Sequence, residues 1–318
     1  VLTQNPDHRK PEGQAMLNRR TLIAAAGALA LSATAASANW QSQYPELVFA
    51  VVPAENAQGV TDRYQPFADY LSKELGTKVT LRVANDYAAV IEGQRTGNIH
   101  IGYYGPAAYA RALVSGAPVQ AVMQDVNADG TRGYYSVAYV KADNPATKIE
   151  DLKGKVLGLV DPNSASGNNV PRFAMNKLGI DPEQFFSKVV YTGSHENAIT
   201  ALQQGTVDVA FNWWNDEAES NLMRMERKGM AKYSDFKIVF RSDLITGSPW
   251  AILSNMPDDA KTAIANAMLA VPTKAPEVFQ KMTDGKAQPW VPVTNAEYNT
   301  MVELILFVDE LKKKQAGG

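Results

Sequence analysis

Short apolar runs alternate along this chain with segments of helical periodicity, and glycine or proline closes many of them. Leu47-Val-Phe-Ala-Val-Val52 stops at Pro53 and reads as a strand buried on both faces. Tyr64 to Leu75 places Phe67, Tyr70, Leu71 and Leu75 on one helical face, with Gly76 as its C-terminal stop. Lys78 to Val83 alternates like a strand, Tyr87 to Thr96 is helical, and Ile99 to Tyr104 is strand-like up to Gly105-Pro106. A short helix at Ala107 to Val114 and a strand at Gln120 to Gln124 complete the first series. This exchange suits βαβ units on a mainly parallel sheet.

The pattern then repeats. Strands are predicted at Tyr134 to Lys141, Lys155 to Val160, Lys188 to Tyr191 and Val207 to Asn212, with helices at Arg172 to Leu178 and Asn197 to Gln204. A polar helix from about Asp216 to Lys228, strands at Phe236 to Arg241 and Trp250 to Leu253, and a helical C-terminal third follow. At roughly 100–200 residues per domain, 318 residues divide into two α/β lobes. No flexible linker separates them, so the chain is expected to cross on strands, at Tyr134 to Lys141 and between Arg241 and Leu253. Ligands of open α/β sheets bind beyond the carboxyl ends of strands, and two such lobes would face each other across a cleft.

Composition removes several functions. There is no cysteine, so thiol, iron–sulfur and zinc–thiolate chemistry is excluded, and the three histidines (His8, His100, His195) form no metal constellation. A formal charge of −2 carries no footprint for nucleic acid.

The N-terminal region reads as an address. Residues 1–15 are a polar leader or upstream extension. Residues 16–38 combine Arg19-Arg20, the apolar run Leu22 to Leu31 and Ala36-Ser37-Ala38, the layout of an export signal cleaved near Ala38. Both the general secretory and the twin-arginine route fit. Cleavage removes four bases (Arg9, Lys10, Arg19, Arg20) and two acids (Asp7, Glu12), which moves the charge from −2 to −4. A net acidic protein that binds an anion must do so with directed donors.

One segment has the chemistry for that. In Gly158-Leu-Val-Asp-Pro-Asn-Ser-Ala-Ser-Gly-Asn-Asn-Val-Pro-Arg172 a strand turns through small and hydroxylated residues into a helix. Ser164 and Ser166 offer hydroxyls, and the N–H groups around Ala165, Ser166 and Gly167 can form a concave anion nest. The same residues would serve equally as a plain helix cap. His195, between a strand and a helix, lies at the same sheet edge and can donate to an oxyanion. Tyr87, Tyr103-Tyr104, Tyr134, Trp213-Trp214 and Trp250 fall where a cleft wall would be, or where lobes would pack. No G-x-S-x-G, G-x-x-x-x-G-K-[ST] or G-x-G-x-x-G is present, so neither a serine hydrolase nor a nucleotide site has support.

Seven ordered stretches carry a resemblance. They are Phe49-Ala-Val-Val-Pro-Ala-Glu-Asn56, Asn85-Asp-Tyr-Ala-Ala-Val-Ile-Glu-Gly-Gln-Arg95, Tyr103-Tyr-Gly-Pro106, Gly133-Tyr-Tyr-Ser136, Asp161-Pro-Asn-Ser-Ala-Ser-Gly167, Gly193-Ser-His-Glu196 and Ser242-Asp-Leu-Ile245. Over essentially all of the mature sequence the chain resembles the periplasmic phosphonate-binding proteins of phosphonate ABC importers. The resemblance implies a two-lobed type II periplasmic binding protein. Each lobe would be a mixed, mostly parallel sheet flanked by helices, with the ligand in the cleft and closure by a hinge. Lobe one is expected at 46–138 and 246–318, lobe two at 139–245.

The resemblance places the ligand-binding residues at Ser164, Ala165, Ser166, His195, Tyr87 and Tyr134. Where relatives usually have threonine this chain has Ala165, which keeps the N–H and loses a hydroxyl. Relatives that take an aminoethyl phosphonate surround the ammonium with two carboxylates, and those positions are Asn215 and Ser248 here. An alignment slip would let Asp216 or Glu217 restore one. The tail is therefore expected to be neutral, polar or aromatic-tolerant, with Tyr104, Trp213, Trp214, Asn215, Ser248 and Trp250 as candidate contacts. The implied partners are a small phosphonate and the permease subunits of an ABC transporter. No cofactor, metal or catalysis is expected, and the protein is expected to be a periplasmic monomer. Another oxyanion such as phosphite, a phosphate ester or a sulfonate is the alternative ligand, and an enzyme or sensor on the same fold is the remaining rival.

Overall fold

The computed structural model describes residues 39–316, so the leader and signal expected at 1–38 lie outside the described residues. The apolar run after Gln43 forms β1 (Glu46–Val51), which pairs in parallel with β2 (Lys78–Val83) and β3 (Ile101–Tyr103). Parallel neighbours require crossover segments. Here they are the helices α1 (Ala57–Leu75) and α2 (Tyr87–Arg95). After α3 (Pro106–Val114) the chain adds β4 (Val119–Asn127), and later β12 (Pro249–Leu253) and β13 (Ala287–Pro292) complete a six-stranded sheet in the order β13-β4-β12-β3-β1-β2.

The second sheet is built the same way from β5 (Gly133–Lys141), β6 (Val156–Leu159), β7 (Lys188–Tyr191), β8 (Val209–Asp216) and β10 (Phe236–Arg241), in the order β10-β5-β8-β6-β7. The helices α4 (Val170–Lys177) and α5 (His195–Gln204) make its crossovers. Two short strands are attached: β9 (Glu219–Ser220) on β8 and β11 (Ile245–Thr246) on β5. Both sheets are mixed. In the first, β1 to β4 run one way and β12 and β13 the other; in the second only β5 opposes the four strands on the main path.

The chain leaves the first sheet after β4 and returns from β10 through β11 to β12. β5 belongs to the second sheet from Gly133 onward, because its whole length pairs with β11, β8 and β10. Tyr134 is thus carried by the second sheet, and the boundary expected after residue 138 falls inside a strand. Gly133 is required at this crossing, since a Cβ there would collide with the Ile245 carbonyl.

Several elements differ from the sequence reading. The expected helix at Asp216 to Lys228 is shorter, α6 (Asn221–Arg227), because Asp216 Oδ1 accepts the N–H groups of Ala218 and Glu219 and turns β8 into β9. In the C-terminal third, between the helices α7 (Asp258–Leu269) and α8 (Pro276–Thr283) and the final α9 (Asn299–Ala316), lies the unexpected strand β13. It contains Pro289 and Pro292 and pairs only with β4, and an edge strand tolerates proline where a central one does not. No described helix is long and apolar enough to cross a membrane.

Candidate functional site: a nest of N–H groups between two sheets

The two sheets enclose a cavity of about 170 Å³. One end is the turn after β6. Ser164 is an N-cap in extended conformation, and its Oγ accepts the Gly167 N–H at 3.0 Å. Ala165–Asn169 form a single π-helical turn leading into α4, with Asn169 N–H donating to the Ser164 carbonyl. Among the described residues no acceptor takes the N–H of Ala165 or Ser166. These are the unsatisfied donors of a helix start, on residues that line the cavity. Side chains brace the turn from behind: Ser136 donates to the Ser166 carbonyl, and the amides of Asn168 and Asn169 both hold the Pro162 carbonyl. Arg172, paired with Glu183, fixes Asn168 in turn. Gly167 packs so close to Val160 that a Cβ would overlap it.

Tyr87, the first residue of α2, comes from the first lobe and Tyr134 from β5. The Tyr87 hydroxyl lies beside Ser164 and that of Tyr134 beside Ser166, and burial pushes both phenols well above their ordinary pKa, so they stay protonated donors. Ser164, Ala165, Ser166, His195, Tyr87 and Tyr134 all line this one cavity.

His195 differs from expectation in its hydrogen-bonding sense. It starts α5 and is 4% exposed, and burial pushes its pKa down to about 4 against a partial opposing pull from Asn212. The ring is therefore neutral near pH 7. Asn212 Nδ2 donates to the His195 carbonyl at 2.9 Å, and its Oδ1 accepts the Trp213 N–H at 3.0 Å, which determines the orientation of the amide. The same Oδ1 lies 2.9 Å from His195 Nδ1, so Nδ1 must carry the proton. Nε2 is left unprotonated, an acceptor where the sequence suggested a donor.

The other end of the cavity is aromatic and carries a buried acid, with Arg224 and Lys286 also in the lining. Trp213, Asn215, Ser248 and Trp250 line it, together with Tyr64, Tyr103, Asp125 and Trp290. Tyr104 and Trp214 do not. Side chains alternate along strands, so Tyr103 faces the cavity while Tyr104 turns into the core and donates to Gln94, and Trp214 turns from Trp213 to pack against Tyr135. Asp216 and Glu217 are also elsewhere: the first caps the β8–β9 turn and the second accepts the Tyr233 hydroxyl.

Asp125, on the same face of β4 as Asn127, accepts the Tyr103 hydroxyl. Burial raises its pKa, opposed by Tyr103 and by the indoles of Trp250 and Trp290, whose N–H groups close no hydrogen bond of ordinary geometry. It has no ion-pair partner among the described residues, unlike Glu55 and Glu219 in the same lining. Asp125 and Trp290 escaped the sequence reading. The expected strand ended at Gln124, and the prolines hid β13.

A charged rim joins the two lobes beside the cavity. Lys228 of the second lobe reaches Glu55 of the first and Glu196 of its own, while Glu196 Oε2 accepts the Asn56 N–H at 2.9 Å. Asp284 of the first lobe pairs with Arg63 at 2.9 Å and, across the gap, with Arg224 at 2.9 Å and Arg227 at 3.1 Å. Burial opposes ionisation of Glu55, but Arg63 holds its carboxyl below the usual carboxylate value.

Comparison with known proteins agrees with this architecture. Residues 49–298 match the profile of the family described as "ABC transporter, phosphonate, periplasmic substrate-binding protein". The chain is 31% identical to the phosphate-import protein PhnD of Mycolicibacterium smegmatis, over 87% of this chain and 92% of that one. It is 34% identical to the phosphonates-binding periplasmic protein of Escherichia coli, over 74% and 68%. The crystal structure of a binding protein component of an ABC phosphonate transporter from Pseudomonas aeruginosa superposes with a TM-score of 0.75 at 28% identity, covering 83% of this chain and 86% of that one. A nest of free N–H donors in a two-lobed cleft and a family match over most of the described chain lead to one assignment: this chain belongs to the periplasmic substrate-binding proteins of phosphonate ABC transporters.

Proposed function

We propose that the exported chain captures a phosphonate in this cleft, with its oxygens on Ser164–Ser166 and its organic tail toward Asp125, Trp250 and Trp290, and presents the closed complex to a membrane permease. The observation that carries the reading is the continuity of the cavity from the nest to the aromatic end. An inorganic oxyanion would occupy the nest and leave that far wall untouched. Cleavage near Ala38 would release the mature protein into the periplasm. Capture without turnover is supported by the chemistry of the nest: the Ser164 hydroxyl oxygen is engaged as a helix cap, and the basic nitrogen it would need has no acid behind it.

Asp125 revises the expected neutral tail. An anionic head group and the Asp125 carboxylate, which Arg224 offsets only from beyond ion-pair distance, repel in one cavity, and a tail ending in a hydrogen-bond donor, best an ammonium, relieves that repulsion. A charge-assisted bond of this kind is worth ~1.5–3 kcal/mol. Calorimetry should therefore find 2-aminoethylphosphonate bound roughly 10- to 100-fold more tightly than ethylphosphonate. Asp125→Asn should remove the preference while ethylphosphonate affinity holds. Phosphate is the second reading, favoured by the name of the M. smegmatis relative. Inorganic phosphate binding more tightly than every phosphonate would overturn the proposal.

A further inference from the structure

The amide that orients His195 has a consequence for the protonation state of the ligand. Asn212 is fully buried, and its three contacts, to the His195 carbonyl, the Trp213 N–H and His195 Nδ1, fit only one amide orientation and one histidine tautomer. The other groups named at this end of the cavity each have a donor to give: the N–H groups of Ala165 and Ser166, the hydroxyls of Ser164 and Ser166, and the phenols of Tyr87 and Tyr134. A fully ionised phosphonate offers acceptors only, and one of its oxygens would face the lone pair of Nε2. A phosphonate carrying one proton offers a P–OH that donates to that nitrogen, with its remaining oxygens free for the N–H and hydroxyl donors.

We propose that Asn212 is a positioning residue that fixes His195 as an acceptor, so that the cleft takes its oxyanion with one proton held between a ligand oxygen and His195 Nε2. The inference rests on the phosphonate reading and deepens it. It supplies a reason for the site to reject sulfonates, which match phosphonates in shape but carry no proton on oxygen near neutral pH. Rejection then comes from a buried acceptor left without a donor.

The titratable groups around this end are accounted for. Glu196, on the same helix, is paired with Lys228 and Asn56, and Glu55 is paired with Arg63 and Lys228. Tyr87 and Tyr134 stay neutral. Asp161, raised by burial, accepts the Asn163 N–H and lies toward Tyr87 and Asp86.

Two measurements test the proposal. Nitrogen-15 spectra of the ligand-free protein should show the His195 ring protonated at Nδ1 and bare at Nε2; the opposite tautomer would overturn the assignment without reference to any ligand. Calorimetry with methylphosphonate from pH 6 to 9 should then show affinity falling about tenfold per pH unit above the ligand's second ionisation, which for a phosphate ester lies at about 6 and for a phosphonate somewhat higher. Uptake of about one proton per ligand should appear in buffers of different ionisation enthalpy. His195→Gln, whose amide can turn either way, should bind with a flat profile, and Asn212→Asp, which favours a charged ring, should extend tight binding to higher pH. A flat wild-type profile, or the same slope in His195→Gln, overturns the inference while leaving phosphonate binding intact. Failure of methylphosphonate to bind at any pH removes the proposed function itself.

Discussion

Ser166 sits at the tip of the nest, 1% exposed, with its carbonyl held by Ser136 and its N–H free. Placing a carboxylate there puts a fixed negative charge where the proposed binding mode puts the ligand's oxygens. Ser166→Asp should lower phosphonate affinity at least about a hundredfold through buried like-charge contact and loss of a hydroxyl donor, while the melting transition stays cooperative. Normal affinity in this variant, measured by calorimetry, would move the binding site away from the nest. At this scale the sequence was informative where local chemistry is distinctive. A hydroxyl-rich turn between strand and helix has few conformations, so the turn and helix start at Ser164–Ser166 were legible. Which of two adjacent aromatics faces the cavity was not, because Tyr103 and Tyr104, or Trp213 and Trp214, differ only by the phase of the strand. Asp125 gave no signal, since an acid at a strand end is ordinary until its neighbours are known. The direction of the His195 hydrogen bond depends on Asn212 across the sheet, which no spacing reveals.

The π-helical turn is the element on which the proposed binding rests, and its geometry comes from close packing rather than from capping alone. Gly167 lies against Val160, and the Gly167 carbonyl accepts the Val160 N–H at 3.0 Å, so the turn is stitched back onto the end of its own strand. Gly167→Ala should cost ~1–3 kcal/mol of stability through overpacking. Its effect on phosphonate affinity should be larger than that of a destabilising change in the remote helix α7, because the displaced atoms are those that aim the N–H groups. Paired thermal melts and titrations check this; a stability loss with unchanged affinity would show that the nest tolerates the shift. Most elements were legible because apolar period and glycine stops agree along the chain. The exceptions share a cause. β13 contains prolines that only its edge position permits, and β9 exists because Asp216 reverses the chain, so both depend on tertiary placement more than on local pattern.

Across the whole molecule the lobes are tied at the rim by Lys228 to Glu55 and by Asp284 to Arg224 and Arg227. These pairs would be lost if the lobes separated, so in the proposed capture by closure they would favour the closed arrangement over an open one. Lys228→Met removes the cation shared by Glu55 and Glu196. The ligand-free protein should become more open, with a larger radius of gyration in solution scattering, and affinity should fall about 3- to 10-fold as closure becomes costlier. Unchanged scattering and affinity would mean that the rim follows closure without biasing it. The course of β5 adds a last consequence. Because that strand enters the second sheet at Gly133, Tyr134 travels with Ser164–Ser166 and His195, whereas Tyr87 belongs to the opposite lobe. Five of the six residues proposed for the oxyanion end are therefore carried by the second lobe alone. In the proposed capture they would set how quickly a passing ligand is caught, and Tyr87, supplied by the other lobe, would set how long it is kept.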